Sequence, residues 1–323
     1  MENEKKISVG VIVGPTASGK TALAVEMARR LSGEVISADS MQIYKGLPVS
    51  TACPTEEEKQ GIPHHLLEFL PLSKSYSVSD YVRDATAAIY DVAARGHFPI
   101  LTGGTGLYVR SLVENRQYEE EPEHQAVRDE LLRWSEGKTD EEIHEVLQKE
   151  DPGAAIQIHP HNRKRVLRAL ERYRLTGRTL QEQNEYSRRT PSPFRFSLVG
   201  LSCRDRAVLY RRIDQRVDRM MEQGLLQEAK ALYGTPCAGT AAQAIGCKEL
   251  FPYLKGEISL LEATEKIKQG TRRYAKRQLT WFHREEGLHW LNLDDVPPGK
   301  KPVETLADEC EALWRADGLL GAR

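Results

Sequence analysis

A glycine-rich segment near the start of the chain carries the most specific chemical signal in the sequence. It reads GPTASGKT over residues 14–21 and matches the pattern G-x-x-x-x-G-K-[ST] of a phosphate-binding loop (P-loop). Gly14 and Gly19 allow the backbone to point successive N–H groups into one concavity, where they can bind an anion. Lys20 adds a full positive charge, and the hydroxyl of Thr21 is placed to ligate a phosphate-bound Mg²⁺ ion. The segment therefore predicts a site for a polyphosphate and its magnesium.

The loop alone leaves open whether that anion is a nucleoside triphosphate such as ATP or another diphosphate. Enzymes that hydrolyse ATP usually have an aspartate for Mg²⁺ at the end of an apolar strand. The strand-like segment 98–104 instead continues into TGGTG (102–106) without an acidic residue, which disfavours ordinary ATP hydrolysis. Asp39, after the second strand-like segment, is the carboxylate expected to face the loop at the carboxyl edge of the sheet. A helix or turn cap is the alternative role for Asp39.

Alternating strand-like and helical segments are predicted to position this loop. Short apolar runs that read as buried strands are ISVGVIV (7–13), EVISADS (34–40) and FPILTGG (98–104). Helical spacing follows the loop as far as Leu31, with Gly33 as the expected C-cap, and Ser77 is expected to begin a helix that ends near Ala94. This alternation predicts an α/β fold, a P-loop-type parallel sheet flanked by helices.

The pattern changes in the middle of the chain, where it indicates helices without a clear strand. Helices are predicted at 126–137, 140–149 and 163–176, then a strand at 196–203, helices at 206–233 and 258–284, and a strand at 289–294. We therefore predict a discontinuous α/β catalytic core made of residues 1–115 and 195–323, with an all-helical insertion domain at 116–194.

The composition excludes a disordered or membrane-spanning chain. Of the 323 residues, 40% are hydrophobic and 29% are charged, which is enough apolar material for a large core in about two domains. No apolar run reaches the length of about 18 residues that a membrane span needs, and the opening MENEKK does not resemble a signal peptide. We expect a cytoplasmic protein that does not bind membranes. Its five cysteines are too scattered for a zinc site, so we expect inert thiols.

A net charge of −1 conceals two strongly basic stretches. Residues 266–284 contain seven Lys or Arg residues and no acid, and residues 163–178 contain seven against the single acid Glu171. Charge separated in this way attracts polyanions, so next to a phosphate motif it favours a nucleic acid as partner. Ordinary solvated helix faces are the alternative interpretation.

Six blocks in order along the chain resemble the tRNA dimethylallyltransferase family. The blocks are GPTASGKT (14–21), ISADSMQIYKGL (36–47), PHHL (63–66), LTGGTGLY (101–108), IHPHNRKRVLRALE (158–171) and AKRQLTWF (275–282), and the match extends from about residue 8 to 293. The resemblance implies transfer of the dimethylallyl group from dimethylallyl diphosphate to the N6 amine of the adenosine 3′-adjacent to the anticodon, with release of diphosphate. It implies as partners tRNA, through its anticodon stem-loop, and dimethylallyl diphosphate, with Mg²⁺ as cofactor. We expect a monomer, since no unpaired apolar heptad is evident.

The resemblance also assigns roles to individual residues. Asp39 is implied as the general base, while Thr16, Lys20 and Arg216 complete the catalytic set. The implied diphosphate ligands are Gly14, Pro15, Thr16, Ala17, Ser18, Gly19, Lys20, Thr21 and Arg216. The implied tRNA contacts are Asp39, Ser40, Met41, Gln42, Thr105, Lys164, Arg165, Val166, Leu167 and Arg168, to which the basic stretch adds Arg272, Arg273, Lys276 and Arg277. Among these groups, Thr21 is the expected ligand of the metal.

Three positions depart from the family pattern. Ser50, Cys53 and Cys247 stand where the family usually has glycine, lysine and tyrosine, respectively. The missing lysine removes one expected basic contact near the phosphate channel, and we expect both cysteines to be structural. His64 and His65 admit either a catalytic role or a place in a turn or substrate loop.

Two other classes of function compete with prenyl transfer. A P-loop kinase of small molecules would share the core of the fold and use ATP as phosphoryl donor. The strand-like segment 98–104 lacks the acidic residue that such an enzyme uses for Mg²⁺, which predicts no turnover of ATP. A non-catalytic RNA-binding module would use the loop only to hold an anion. Substitution of Asp39 separates this module from a transferase. RNA binding should survive the substitution under either hypothesis, whereas a transferase should lose its prenylation activity.

Overall fold

The computed structural model describes residues 6–118, 124–236 and 241–321. Within these ranges the chain forms one six-stranded sheet in the order β3-β2-β4-β1-β5-β6, and every strand pair is parallel. The strands are β1 (Ile7–Val13), β2 (Gly33–Ser37), β3 (His64–His65), β4 (Phe98–Gly103), β5 (Phe194–Ser202) and β6 (Leu288–Asn292). The predicted α/β fold with a parallel sheet and flanking helices is therefore confirmed.

Helices connect the strands and form a separate cluster in the middle of the chain. They are α1 (Lys20–Leu31), α2 (Glu56–Lys59), α3 (Val78–Ala94), α4 (Gly106–Val113), α5 (His124–Ser135), α6 (Asp140–Glu150), α7 (Pro152–Gln157), α8 (Arg163–Thr176), α9 (Leu180–Ser187), α10 (Arg206–Glu222), α11 (Leu225–Leu232), α12 (Cys247–Leu254), α13 (Leu260–Phe282) and α14 (Pro302–Ala316). Backbone contacts divide the chain into a core unit, Met1–Val113 with Ser192–Arg323, and a helical unit, Glu114–Pro191. These boundaries lie within a few residues of the predicted ones.

The core unit is built around β1, whose side chains from Val11 to Val13 are fully buried. Gly10 lies in the same strand, and a Cβ there would stand 2.2 Å from the ring of Trp314 on α14. Trp314 is itself fully buried, so the indole occupies the space that a side chain at position 10 would need. A strand with this burial on both faces is typical of the centre of a parallel sheet.

Most predicted elements differ from the observed ones by one to three residues at their ends, and three of the differences have a clear local reason. β2 ends at Ser37, so Asp39 lies in the turn that follows the strand. The C-cap of α1 is Ser32 in a left-handed conformation, and Gly33 instead begins β2, where a Cβ would stand 2.5 Å from the carbonyl oxygen of Phe98. The helix predicted at 206–233 is broken into α10 and α11 at Gly224, whose φ of 104° is incompatible with a continuous helix.

The helical unit has its own apolar core, and its described residues, 114–118 and 124–191, contain no strand, as predicted. Leu131, Ile143 and Leu170 belong to this core. Asp151 is buried and joins two helices, because its Oδ1 accepts from the N–H of Ala154 at 2.9 Å and its Oδ2 accepts from that of Leu180 at 2.7 Å.

Candidate active site

Left-handed backbone conformations shape the loop between β1 and α1. Gly14, Ala17 and Gly19 have φ values of 151°, 63° and 84°. Lys20 begins α1, and its Nζ donates to the carbonyl oxygen of Pro15 at 3.3 Å, across the loop. The loop thus combines the positive end of a helix with a lysine ammonium group, an arrangement that binds phosphate groups.

The loop borders a cavity of about 340 Å³ at the carboxyl edge of the sheet. The predicted catalytic residues Thr16, Lys20, Asp39 and Arg216 all line this cavity, together with the predicted metal ligand Thr21. Four elements or loops supply them: the P-loop, the start of α1, the turn after β2, and α10. The structure therefore brings together residues that are almost 200 positions apart in sequence.

The other residues of the P-loop are not part of the cavity lining. Gly14, Pro15, Ala17, Ser18 and Gly19 do not line the cavity, and the side chains of Ala17 and Ser18 are buried. The predicted role of these residues depends on their backbone N–H groups, which need no exposed side chain. Their binding to a diphosphate stays a prediction.

Two positively charged side chains, Lys20 and Arg216, line the cavity. Burial, reinforced by the positive charge of Arg216, lowers the pKa of Lys20 to about 8, while the Asp39 carboxylate opposes the shift. Burial likewise lowers the pKa of Arg216, against the attraction of Glu58 and Asp39. Two half-buried cations that line one cavity favour a bound polyanion, which would stabilise the charged form of both side chains.

The turn after β2 is fixed by its own hydrogen bonds. Asp39 Oδ1 accepts from the N–H of Met41 at 2.9 Å, and Thr105 Oγ1 accepts from the N–H of Ser40 at 2.9 Å. Gln42 Nε2 donates to the carbonyl oxygen of Ala52 at 3.0 Å. Asp39 therefore has the turn-capping contact that was the alternative prediction, and it also lines the cavity. Thr105, a predicted tRNA contact, supports the turn and does not line the cavity.

Helix α13 contributes residues that the sequence did not single out. Gln278 is only 5% exposed and hydrogen-bonds both the P-loop and the loop after β4. Tyr274, one turn earlier, also lines the cavity and interacts with the side chains of Thr105 and Gln278. Close packing of α13 explains two glycines of the LTGGTG segment, since a Cβ at Gly104 would meet Gln278 and a Cβ at Gly106 would stand 2.1 Å from the Trp281 ring. In the sequence, the block AKRQLTWF and these glycines are the features that could have indicated the contacts of α13.

Part of the cavity lining is apolar. The apolar side chains that line it include Val217, Met220, Ala244, Ile245 and Ile267. Val217 and Met220 belong to α10, the helix that also supplies Arg216, so this helix contributes both a cation and apolar groups to the lining. A ligand with an anionic head and a short hydrocarbon tail fits a lining that has both cationic and apolar side chains.

The basic residues of α13 divide into paired and exposed groups. Arg272 forms an ion pair with Asp214 at 2.5 Å, and Lys268 forms one with Asp218 at 2.7 Å. Arg273 and Lys276 are exposed. Arg277 is also exposed, and it lines the cavity with its guanidinium 5.6 Å from the centre of the Tyr274 ring. The exposed residues can reach a nucleic acid, whereas Arg272 already has a protein partner.

The predicted tRNA contacts in the helical unit divide in the same way. Lys164 and Arg165 are exposed, Leu167 is half-buried, and Arg168 pairs with Glu171 at 2.5 Å. Val166 is fully buried in the core of the unit, so its side chain is not available to RNA, which corrects that prediction. A second cavity of about 780 Å³ lies beside Lys164, Arg165 and Arg168 and gives this surface a concave, basic character.

Of the three residues that depart from the family pattern, Ser50 and Cys247 contact the carboxylate of Glu228, and Cys53 and Cys247 are buried. The Ser50 N–H donates to Glu228 Oε1 at 2.9 Å, and the Cys247 thiol donates to the same oxygen at 3.8 Å. Burial raises the pKa of Cys53 and of Cys247 to about 12, so both thiols stay protonated. Cys203 and Cys310 are also buried and free, and Cys237 lies outside the described residues.

His64 and His65 do not line the cavity. Nδ1 of His64 lies 2.8 Å from the carbonyl oxygen of Ile62, and burial lowers the pKa of this histidine. Nε2 of His65 lies 2.7 Å from the buried carboxylate of Glu34, which also pairs with Arg95. The contacts support a structural role for both histidines at the edge of the sheet.

Comparisons with known proteins agree with this geometry. The sequence model of the IPP transferase family matches residues 42–285. A tRNA dimethylallyltransferase of Halalkalibacterium halodurans is 45% identical over 294 residues, covering 91% of this chain and 93% of that protein. One of Enterococcus faecalis is 46% identical over 299 residues, covering 91% and 94%.

Solved structures are similar over most of their length. The full-length tRNA isopentenylpyrophosphate transferase from Bacillus halodurans has a TM-score of 0.70 at 40% identity, covering 97% of this chain and 98% of that one. A eukaryotic dimethylallyltransferase acting on tRNA has a TM-score of 0.75 at 33% identity, covering 88% and 74%. In the described part of this chain, every helix is too short or too polar to cross a bilayer.

Proposed function

The chain belongs to the IPP transferase family, and we propose that it transfers the dimethylallyl group of dimethylallyl diphosphate to the N6 amine of the adenosine 3′-adjacent to the anticodon in tRNA. One observation carries this proposal. A single cavity is lined by a P-loop lysine, a second, half-buried cation, a carboxylate and several apolar side chains. These features match a diphosphate head, a proton to be removed and a five-carbon tail.

In the proposed reaction the lone pair of the N6 amine attacks C1 of the dimethylallyl group. The bond between C1 and the bridging oxygen breaks, and its electron pair leaves with the diphosphate. The amine proton passes to the carboxylate of Asp39, which supports nucleophilic attack because the lone pair of an aryl amine is delocalised into its ring. Oδ1 of Asp39 is held by the N–H of Met41, and within the described residues Oδ2 has no hydrogen-bonding partner.

The departing diphosphate gains negative charge, and the cationic edge of the cavity is suited to stabilise it. We assign this role to Lys20, Arg216 and the hydroxyl of Thr16, since the Thr16 N–H is already bonded to Gln278. The hydroxyl of Thr21 lines the same cavity and offers an oxygen ligand of the kind that Mg²⁺ prefers. When bound, Mg²⁺ would neutralise part of the diphosphate charge.

An adenine stacked within an anticodon loop must leave its stack to reach this cavity, at a cost of a few kcal/mol. Contacts with the RNA backbone can supply that energy. The exposed Arg273 and Lys276 of the core unit, and Lys164 and Arg165 of the helical unit, are the side chains we assign to this task. The turn from Asp39 to Gln42 lines the cavity and is assigned to the flipped nucleotide.

The test is incubation of the protein with dimethylallyl diphosphate, Mg²⁺ and unmodified tRNA, followed by mass spectrometry of the nucleosides. We expect isopentenyladenosine with the wild-type protein. Asp39→Asn preserves the size of the side chain and should slow transfer by about a hundred- to ten-thousandfold, while tRNA binding persists.

Absence of product with every tRNA that has adenosine next to the anticodon would overturn the assignment of activity. Undiminished transfer by Asp39→Asn would overturn the role of the carboxylate alone. A parallel reaction with ATP and a panel of nucleoside monophosphates tests the kinase alternative, for which we expect no turnover.

A further inference from the structure

The side-chain amide of Gln278 connects two loops that form the floor of the candidate active site. Its Oε1 accepts from the N–H of Thr16 at 2.9 Å, and its Nε2 donates to the carbonyl oxygen of Gly104 at 3.0 Å. Both bonds are satisfied by one orientation of the amide, and the side chain is 5% exposed. A buried amide without hydrogen-bonding partners costs free energy. The two bonds therefore favour the orientation in which Gln278 contacts both Thr16 and Gly104.

Glycine at position 104 makes room for this contact. A Cβ there would stand 2.1 Å from Nε2 of Gln278, closer than any real contact between these atoms. The backbone of Gly104 is not in the left-handed region, so the reason for glycine is the space that the amide occupies. Tyr274, on the preceding turn of α13, also interacts with this amide.

The bond to Thr16 has a direct consequence for the P-loop. In a typical anion-binding loop, the backbone N–H groups converge on the ligand. Here the Thr16 N–H is directed to Gln278 instead, and this peptide orientation leaves Thr16 on the lining of the cavity next to Lys20. The orientation of one peptide in the loop is therefore set by a residue 262 positions away.

We propose that Gln278 is a positioning residue that holds the P-loop in its diphosphate-binding conformation through the Thr16 peptide. The proposal rests on the function proposed above and adds that affinity for the diphosphate depends on this amide. Loss of the amide should weaken diphosphate binding by about ten- to hundredfold, the effect of one buried hydrogen bond and its unsatisfied partners. Binding of RNA by the exposed face of α13 should change little.

Two different substitutions test the same contact. Gln278→Met keeps the length of the side chain and removes both hydrogen bonds, whereas Gly104→Ala keeps Gln278 but occupies the space of its amide. Gln269→Met is the matched control, because Gln269 is an exposed residue of the same helix. The readouts are the Kd for inorganic diphosphate with Mg²⁺, KM and kcat with dimethylallyl diphosphate, the Kd for an anticodon stem-loop, and the melting temperature.

We expect both variants to raise the Kd for diphosphate and KM for the donor by similar factors, with a smaller change in kcat. The double variant should be no worse than the weaker binder of the two, since both substitutions break one contact. Gln269→Met should behave as wild type. If Gln278→Met fails to fold, Gly104→Ala decides the question.

An unchanged Kd for diphosphate in a folded variant would overturn the proposal, as would an equal loss of RNA and diphosphate affinity. Neither result would bear on prenyl transfer by the wild-type protein. Conversely, a wild-type protein that binds diphosphate but produces no isopentenyladenosine would refute the proposed function and leave the positioning role measurable.

Discussion

Lys20 and Arg216 line one cavity, and their positive charges act on each other. Burial is the larger cause of the shift that brings the pKa of Lys20 to about 8, and the charge of Arg216 adds to it. The carboxylate of Asp39 acts in the opposite direction but does not cancel these effects. In the ligand-free protein, the P-loop lysine therefore titrates within the pH range of an ordinary binding experiment.

This pKa predicts that affinity for dimethylallyl diphosphate falls as the pH rises through about 8. The anion binds the protonated lysine, so deprotonation of the free protein above that pH competes with binding by up to about tenfold per pH unit. The measurement is the Kd for the donor, with Mg²⁺, at several values between about pH 7 and pH 9.5, a range that spans the titration of Lys20. Below the pKa of Lys20 the affinity should be insensitive to this group.

Lys20→Arg is the control, because an arginine stays charged throughout this range. Any titration of the ligand affects both proteins equally, so the difference between the two profiles belongs to Lys20. Parallel profiles for wild type and Lys20→Arg would contradict the lowered pKa.

A second prediction concerns the guanidinium on α10. Arg216→Gln should lower kcat/KM for prenyl transfer by about a hundred- to thousandfold, because a charged donor is removed where the leaving diphosphate develops charge. Arg219→Gln makes the same change one turn along the same helix, on an exposed side chain. Its effect should stay within about threefold, as expected for a surface substitution. Similar losses in the two variants would show that the net charge of α10, and not the position of Arg216, determines the rate.

The site could be predicted from sequence where the chemistry is local. Residues 14–21 contain the loop, its glycines and its lysine in one motif, and Asp39 follows a strand whose carboxyl end must lie at the same edge of the sheet. The α/β fold follows from alternating strand and helix patterns. The helical period of α10 places Arg216 beside its buried residues, unlike the exposed Arg219, but its diphosphate-binding role required the family resemblance.

The contacts made by α13 could not be predicted in this way. Gln278 is a polar residue in a strongly basic helix, and only the three-dimensional packing shows that it is buried against Thr16 and Gly104. The sequence predicts one basic surface for residues 266–284, but Arg272 forms an ion pair with Asp214. Burial of Val166 likewise depends on which face of α8 meets the core of its unit.

The division of the basic residues on α13 gives a third prediction. Lys276→Ala should weaken binding of an anticodon stem-loop and reduce the slope of log K against log salt by about one for each phosphate that the side chain neutralises. Arg272→Ala should change this slope less and lower the melting temperature, because it breaks the ion pair with Asp214. The slopes come from binding titrations at several salt concentrations. An unchanged slope in Lys276→Ala would assign the exposed residues to an ordinary solvated face.

The last prediction concerns the packing of α14 on the central strand. Gly10→Ala should destabilise the protein by about 1–3 kcal/mol, because its Cβ would overlap the buried ring of Trp314. Trp314→Ala should cost about 3–5 kcal/mol by leaving a cavity. The double variant should cost less than the sum, since the methyl group added at position 10 would occupy part of that cavity. Urea denaturation of the wild type and the three variants measures these free energies of unfolding, and strict additivity would show that the two positions do not share one packing site.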